Sequence, residues 1–184
     1  MTVSAATGTV TGAVDEAVKR LDLDQVSREY WDQNEFLLLE RFIPPSVVEP
    51  CLCEIEQLSG EVHRNYVPGH KQGGSVSFYS IQEKAPSPSI LALYRSPALR
   101  MFLSRLVDAP LMLCPEDDPH ACALYYYTKP GDHIGFHYDT SYYKGARYTV
   151  LIGLVEQSEH CRLVARGHKG KAPTEISETR IPMD

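Results

Sequence analysis

Two residues in the stretch Gly135-Phe136-His137-Tyr138-Asp139-Thr140 carry side chains suited to holding a metal, and they stand two apart. On a strand, alternate side chains share a face. His137 and Asp139 would then point one way, and Phe136 and Tyr138 the other. An imidazole and a carboxylate held together in this manner supply two neighbouring ligands of a divalent metal. A second histidine completes one face of an octahedron and leaves the opposite face open to exchangeable ligands. A His-x-Asp triplet by itself also describes a surface polar pair, so its surroundings matter. Here it follows the run Tyr125-Tyr126-Tyr127 and the turn Lys129-Pro130-Gly131-Asp132. It precedes the segment from Arg147 to Val155, which has the strongest strand pattern in the chain.

The elements that must position this pair read as helices first and strands afterwards. Residues 15–34 have a helical apolar stripe through Val18, Leu21, Val26 and Tyr30. Residues 35–42, with Phe36-Leu37-Leu38-Leu39, form an apolar run of strand length. After Pro44-Pro45 a helix is expected to run to Leu58, with Pro50 in its first turn and Gly60 at its end. Residues 65–74 read as a loop and residues 75–81 as a strand. The clearest helix start is Ser96-Pro97, a capping serine with proline at the first helical position, followed by Leu99, Phe102, Leu103, Leu106 and Val107 on one face. Strands are expected at residues 111–114, 122–128, 134–139, 147–155 and 161–165. The order predicts an α+β fold, helices packed on a β-sandwich or jelly roll. Residues 1–13 read as a disordered tail, 14–165 as the folded domain, and 166–184 as a polar, irregular tail.

The chain has 184 residues and a formal net charge of -6. The acidic balance and the lack of a basic aromatic groove disfavour nucleic acid and anionic membrane as partners. No apolar run is long enough to span a bilayer. The N-terminus lacks the basic start and apolar core of a signal peptide, which points to a cytoplasmic protein. The five cysteines, Cys51, Cys53, Cys114, Cys122 and Cys161, are expected to be free thiols. Cys51 and Cys53 fall two apart on a helix, do not share a face, and read as structural.

Other polar residues have plainer readings. His133 stands four before His137, a zinc spacing on a helix, but Gly131 and Gly135 argue for turn and strand. It lines the pocket mouth or faces solvent. His120 follows an acidic loop without the regular oxygen spacing that calcium requires. His70-Lys71-Gln72-Gly73-Gly74 reads as a solvated basic loop in which Lys71 could meet an acidic group.

Tyr127, Gly131, His137, Asp139, Arg147, Thr149 and the apolar strand after them resemble the core of the iron(II)/2-oxoglutarate-dependent oxygenases, most closely over residues 124–155. The apolar segment at 36–42, the Pro-Pro pair and the helix after it extend the resemblance to about residues 25–164. It implies N-terminal helices on a double-stranded β-helix, of the jelly-roll or cupin-like kind. It implies Fe(II) on His137 and Asp139, with 2-oxoglutarate as co-substrate. With dioxygen as the oxidant, that co-substrate is decarboxylated to succinate while an unactivated C–H bond of a small molecule is oxidised. Tyr127 and Arg147 are the implied co-substrate-binding residues; Tyr127 reads equally well as an aromatic filling a barrel interior. Within the family the chain is similar to small bacterial enzymes acting on free amino acids. Some of those are halogenases with a small residue at the carboxylate position, so that chloride can bind iron. Asp139 holds that position here, which implies a hydroxylase.

The resemblance also implies a second metal-binding histidine roughly fifty residues further on, then an arginine for the far carboxylate of 2-oxoglutarate. That distance lies past Asp184. The last strands of the fold are therefore expected to be lacking, in an incomplete or inactive form of the enzyme. Of the downstream residues, His168 is preferred over His160 as third ligand, and Arg162, Arg166 and Arg180 are the candidates for the carboxylate clamp. Two other readings compete: a non-catalytic β-sandwich binding module, and a cupin-type metal enzyme that uses His133, His137 and Asp139 without 2-oxoglutarate.

Overall fold

Ser96 begins the helix that its sequence announces. Its hydroxyl accepts from the Leu99 amide at 3.3 Å, Pro97 takes the first turn, and α6 (Pro97–Leu106) buries Leu99, Phe102 and Leu106. The computed structural model describes residues 3–85, 89–137, 139, 144–157, 163–167 and 177–181. Ahead of α6 come α1 (Val3–Lys19), α2 (Leu23–Asp32), α3 (Pro45–Gln57), α4 (Phe78–Lys84) and α5 (Ser89–Tyr94). A 3-10 turn, Leu58–Glu61, closes α3.

Of the expected tail at residues 1–13, residues 3–13 are instead the first part of α1. Val10, Val14 and Ala17 recur at helical spacing, all are buried, and α1 packs on α5 and α6. Residues 35–42 form no strand. Asn34, Glu35 and Arg41 have positive φ and bend the chain at both ends. Leu37, Leu39 and Phe42 still reach the core from an irregular segment, with the Phe42 and Phe102 rings 5.4 Å apart. Pro45, not Pro50, occupies the first turn of α3, and Pro50 lies inside the helix.

Four strands make one antiparallel sheet: β1 (His63–Val67), β2 (Lys71–Val76), β3 (Leu124–Tyr126) and β4 (His133–Ile134). β2 is central. β1 pairs along one side, with His63 opposite Ser75, while β3 and β4 pair along the other. The stretch at 65–74 that reads as a loop is thus mostly hairpin, turned at residues 68–70. The strand expected over 75–81 ends at Val76, because the Ser77 hydroxyl accepts from the Ser80 amide and caps α4. β5 (Leu163–Gly167) and β6 (Ser177–Ile181) pair antiparallel as a separate two-stranded sheet, so the polar end of the chain is partly strand. Residues 111–114 and 147–155 are not strands. In the latter, Tyr148, Ile152 and Leu154 pack on the core while Leu151 and Val155 are exposed. Val150, which alternation would place with the first three, is 49% exposed, so the period of two breaks, and no described strand lies beside the segment to complete a ladder. The fold is α+β, with a small antiparallel sheet against the helices. A closed jelly roll is not formed among the described residues. No helix among them is long and apolar enough to cross a membrane.

The core centres on Val14, Val47, Leu58, Val76, Phe78 and Ile81, each at most 1% exposed. It also encloses a carboxyl group. Glu54 on α3 is fully buried; one of its oxygens accepts from the Ile90 amide at 3.1 Å, and the other has no partner. Burial pushes its pKa above the ordinary 4.5. The folded chain therefore keeps this proton over a pH range in which the unfolded chain has lost it. The folded state binds more protons in that window, so stability is full below pH 4.5 and falls as pH rises through the raised value. Glu54→Gln should abolish this decline. Urea denaturation at a series of pH values checks it; parallel curves for the two proteins would contradict it. The nearby Cys51 and Cys122 thiols are both pushed up to about 12, chiefly by burial, and read as inert. Cys51, Cys53, Cys114 and Cys122 are free, and Cys161 lies outside the described residues.

Candidate metal-binding site

The sheet separates the helical core from a polar and aromatic face. Alternation along β3 sends Leu124 and Tyr126 toward the helices, where the Tyr126 hydroxyl donates to the Ile55 carbonyl at 3.1 Å. Tyr125 is thereby directed to the other face. There the Lys71 ammonium lies 5.2 Å from the centre of its ring. Tyr127 follows two residues on, and its ring lies against β2 at Gly73. A Cβ on Gly73 would come within 3.1 Å of the Tyr127 ring, which would have to give by a few tenths of an ångström to admit it.

His137 and Asp139 come to this face from beyond β4. β4 spans only His133–Ile134, so the pair lies on irregular backbone rather than on the expected strand over 134–139. A chain of backbone contacts fixes the approach. The Gly135 amide donates to the His70 carbonyl at 2.6 Å, and the Gly135 carbonyl lies 2.8 Å from His137 Nδ1. A carbonyl only accepts, so Nδ1 carries a proton, and in the neutral ring Nε2 then keeps its lone pair. That lone-pair atom stands 3.6 Å from Asp139 Oδ1. The second oxygen of Asp139 accepts from the Thr149 hydroxyl at 2.6 Å.

These observations fit a metal. With metal–nitrogen and metal–oxygen distances of about 2.0–2.2 Å, one ion reaches two donors separated by up to about 4 Å. Each donor is also held from behind by a hydrogen bond, as ligands usually are: His137 by a carbonyl, Asp139 by a hydroxyl. Thr149 therefore orients the carboxylate. The His137 and Asp139 side chains stand together even though no strand presents them.

The remaining candidates are less converged. Arg147 is mostly buried, and its guanidinium stands 3.8 Å from Asp118 Oδ2, so the expected co-substrate cation already faces an anion. Tyr125 lies among the same charges. Partial burial pushes its hydroxyl pKa up, with Asp139 and Asp118 adding to the rise and Arg147 opposing it. His133 turns back to its own turn, with Nδ1 2.8 Å from the Gly131 carbonyl, and does not join His137. His160, His168 and Arg162 lie outside the described residues. Arg166 and Arg180 occupy β5 and β6, opposite Glu178 and Val164. Among the described residues no group of three His, Cys, Asp or Glu side chains gathers to hold a metal, so the cupin-type set of His133, His137 and Asp139 is not assembled.

Two contributors are missed by reading the sequence. His70, in a stretch that reads as a solvated loop, lies at the turn between β1 and β2. Its ring centre is 6.1 Å from that of His137, in an edge-to-face arrangement. Asp132 reads only as the last residue of a turn, yet it accepts from Arg64, Gln72 and two backbone amides. An acidic residue just after Pro-Gly is a sequence signal for such closure. Its partners Arg64 and Gln72 are far off in sequence and give none.

Comparison with known proteins adds one match. The family model described as halogenase D matches residues 19–168, well over half of the 184, including the whole segment that carries His137, Asp139 and Thr149. No curated protein matches the chain.

Proposed function

Because the chain belongs to the halogenase D family, we propose that it is an iron(II)/2-oxoglutarate-dependent hydroxylase acting on a small molecule of the amino-acid class. The observation that carries this reading is the carboxylate of Asp139. It lies 3.6 Å from Nε2 of His137 and is braced by Thr149. A halogen-transferring site needs room for a halide beside the metal, which a small residue leaves. Here a carboxylate fills that place, so the family's framework is turned to oxygen transfer.

His137 Nε2 and Asp139 Oδ1 would hold the metal, and Tyr127 and Arg147 are assigned to the co-substrate. When bound, Fe(II) with 2-oxoglutarate would activate dioxygen, the oxidant that puts one oxygen atom into a C–H bond and the other into the succinate formed from 2-oxoglutarate. The chain's own share is orientation. The Gly135 carbonyl holds the imidazole in the tautomer that offers Nε2, and the Thr149 hydroxyl stops the carboxylate from rotating. Lys71 places positive charge on this face, as an anionic co-substrate or substrate carboxylate requires, whereas Arg147 would have to exchange Asp118 for that anion.

The test is an anaerobic titration with Fe(II) and then 2-oxoglutarate, followed by the weak visible charge-transfer band of the chelate. The band is expected in the native chain and not in His137→Ala. Metal binding without a response to 2-oxoglutarate would favour a cupin-type enzyme. Binding of neither would favour a non-catalytic module.

A further inference from the structure

β3 and β4 lie end to end along a single side of β2, with Leu124 opposite Val76, Tyr126 opposite Gly74, His133 opposite Gln72 and Ile134 opposite Lys71. Between them residues 127–132 leave the sheet as a loop and return. What closes the loop is Asp132, whose side chain is fully covered. Oδ2 accepts from the Thr128 amide at 3.0 Å, the Lys129 amide at 3.0 Å and Arg64 Nη1 at 2.9 Å. Oδ1 accepts from Arg64 Nη2 at 2.5 Å and Gln72 Nε2 at 3.2 Å. Arg64 comes from β1 and Gln72 from β2, so one carboxylate ties the loop to two strands.

We infer that Asp132 is a positioning residue for the metal site, a clasp that fixes where the chain re-enters the sheet and so where His137 and Asp139 stand. The inference rests on reading those two residues as metal ligands. A slip of one residue along a strand exchanges the faces of everything after it. β4 is only two residues long and has few ladder bonds with which to resist such a slip. The clasp lies directly before β4, and the Gly135 contact with His70 directly after it. Together they set the phase of residues 133–137. The pairing also holds the Asp132 carboxyl well below the usual carboxylate range, chiefly through Arg64, so the clasp stays charged at any pH at which the protein works.

The experiment uses cobalt(II) as the probe, titrated into the full chain and followed by its visible bands, which report coordination geometry. The far-ultraviolet circular dichroism of each variant is recorded beside it. Asp132→Asn and Arg64→Leu should weaken cobalt binding by about tenfold and alter the bands, with the helical signal unchanged. Lys129→Ala, which touches the clasp only through its backbone, should behave as the native chain. If both clasp variants bind cobalt with native affinity and native bands, Asp132 does not position the site, and the reading of His137 and Asp139 stands untouched. If the native chain binds no cobalt, or binds it equally well as His137→Ala, that reading falls and this inference with it. Should Asp132→Asn fail to fold, Arg64→Leu decides, since it leaves the backbone contacts of Asp132 in place.

Discussion

Asp139→Gly should lower hydroxylation by more than about 100-fold, because it removes a direct metal ligand where loss of an outer partner alone costs about 10–100-fold. The variant is more informative than a deletion of activity. Glycine removes the carboxylate and leaves space beside the remaining ligand, the arrangement that a halide needs. Binding of 2-oxoglutarate should weaken less than turnover does, since His137, Arg147 and Tyr127 are intact. Added chloride should change the visible band of the variant and leave that of the native chain as it was. The measurement is single-turnover product analysis by mass spectrometry, with and without chloride, beside the anaerobic spectra. Native-level hydroxylation by Asp139→Gly would remove Asp139 from the metal. Thr149 would then be bracing an ordinary surface carboxylate, and the proposed division between hydroxylase and halogenase would lose its basis.

Phe78→Ala should be among the most destabilising single changes in the molecule. Phe78 is 1% exposed and sits where the sheet hands over to the helices, directly after the Ser77 cap. Its ring lies 6.1 Å from that of Tyr94, the Arg95 guanidinium lies 5.9 Å from its centre, and its amide donates to the Pro119 carbonyl at 3.0 Å. Truncating such a side chain costs about 3–5 kcal/mol, from lost burial and from the cavity left behind. For a chain of this length that is a fall in melting temperature on the order of 10 °C. Met101, 69% exposed on α6, is the control. Met101→Ala should change stability by less than about 0.5 kcal/mol. Thermal unfolding of the three proteins tests the pair of claims. A small change at Phe78, or a large one at Met101, would mean that the core is not centred where the packing puts it.

Much of the site was legible in the sequence because its key signals are local. His137 and Asp139 are two residues apart, and Thr149 follows within the same stretch. Ser96-Pro97 specifies a helix start through contacts made within one turn, and the helix forms where the pattern puts it. Class was legible too, since helical periodicity fills the first half and little of the second.

Tertiary structure decided the rest wherever a residue's role depends on a neighbour distant in sequence. Gly73 and Gly74 read as loop, yet they sit in the central strand: the Tyr127 ring crowds the Cβ position of one, and a Val62 methyl that of the other. The run at 147–155 reads as the strongest strand and is not one, because a strand is completed by its partner and not by its own alternation. Val10 looks like part of a featureless tail until α5 and α6 supply something for α1 to pack on. Asp132 reads as a turn residue until Arg64, 68 positions earlier, is folded against it. The sequence alone thus determined which two side chains of the candidate site stand together, since neighbours in the chain cannot separate far. Only the folded structure decided what holds them in place, since those partners meet through the pairing of β1, β2 and β4.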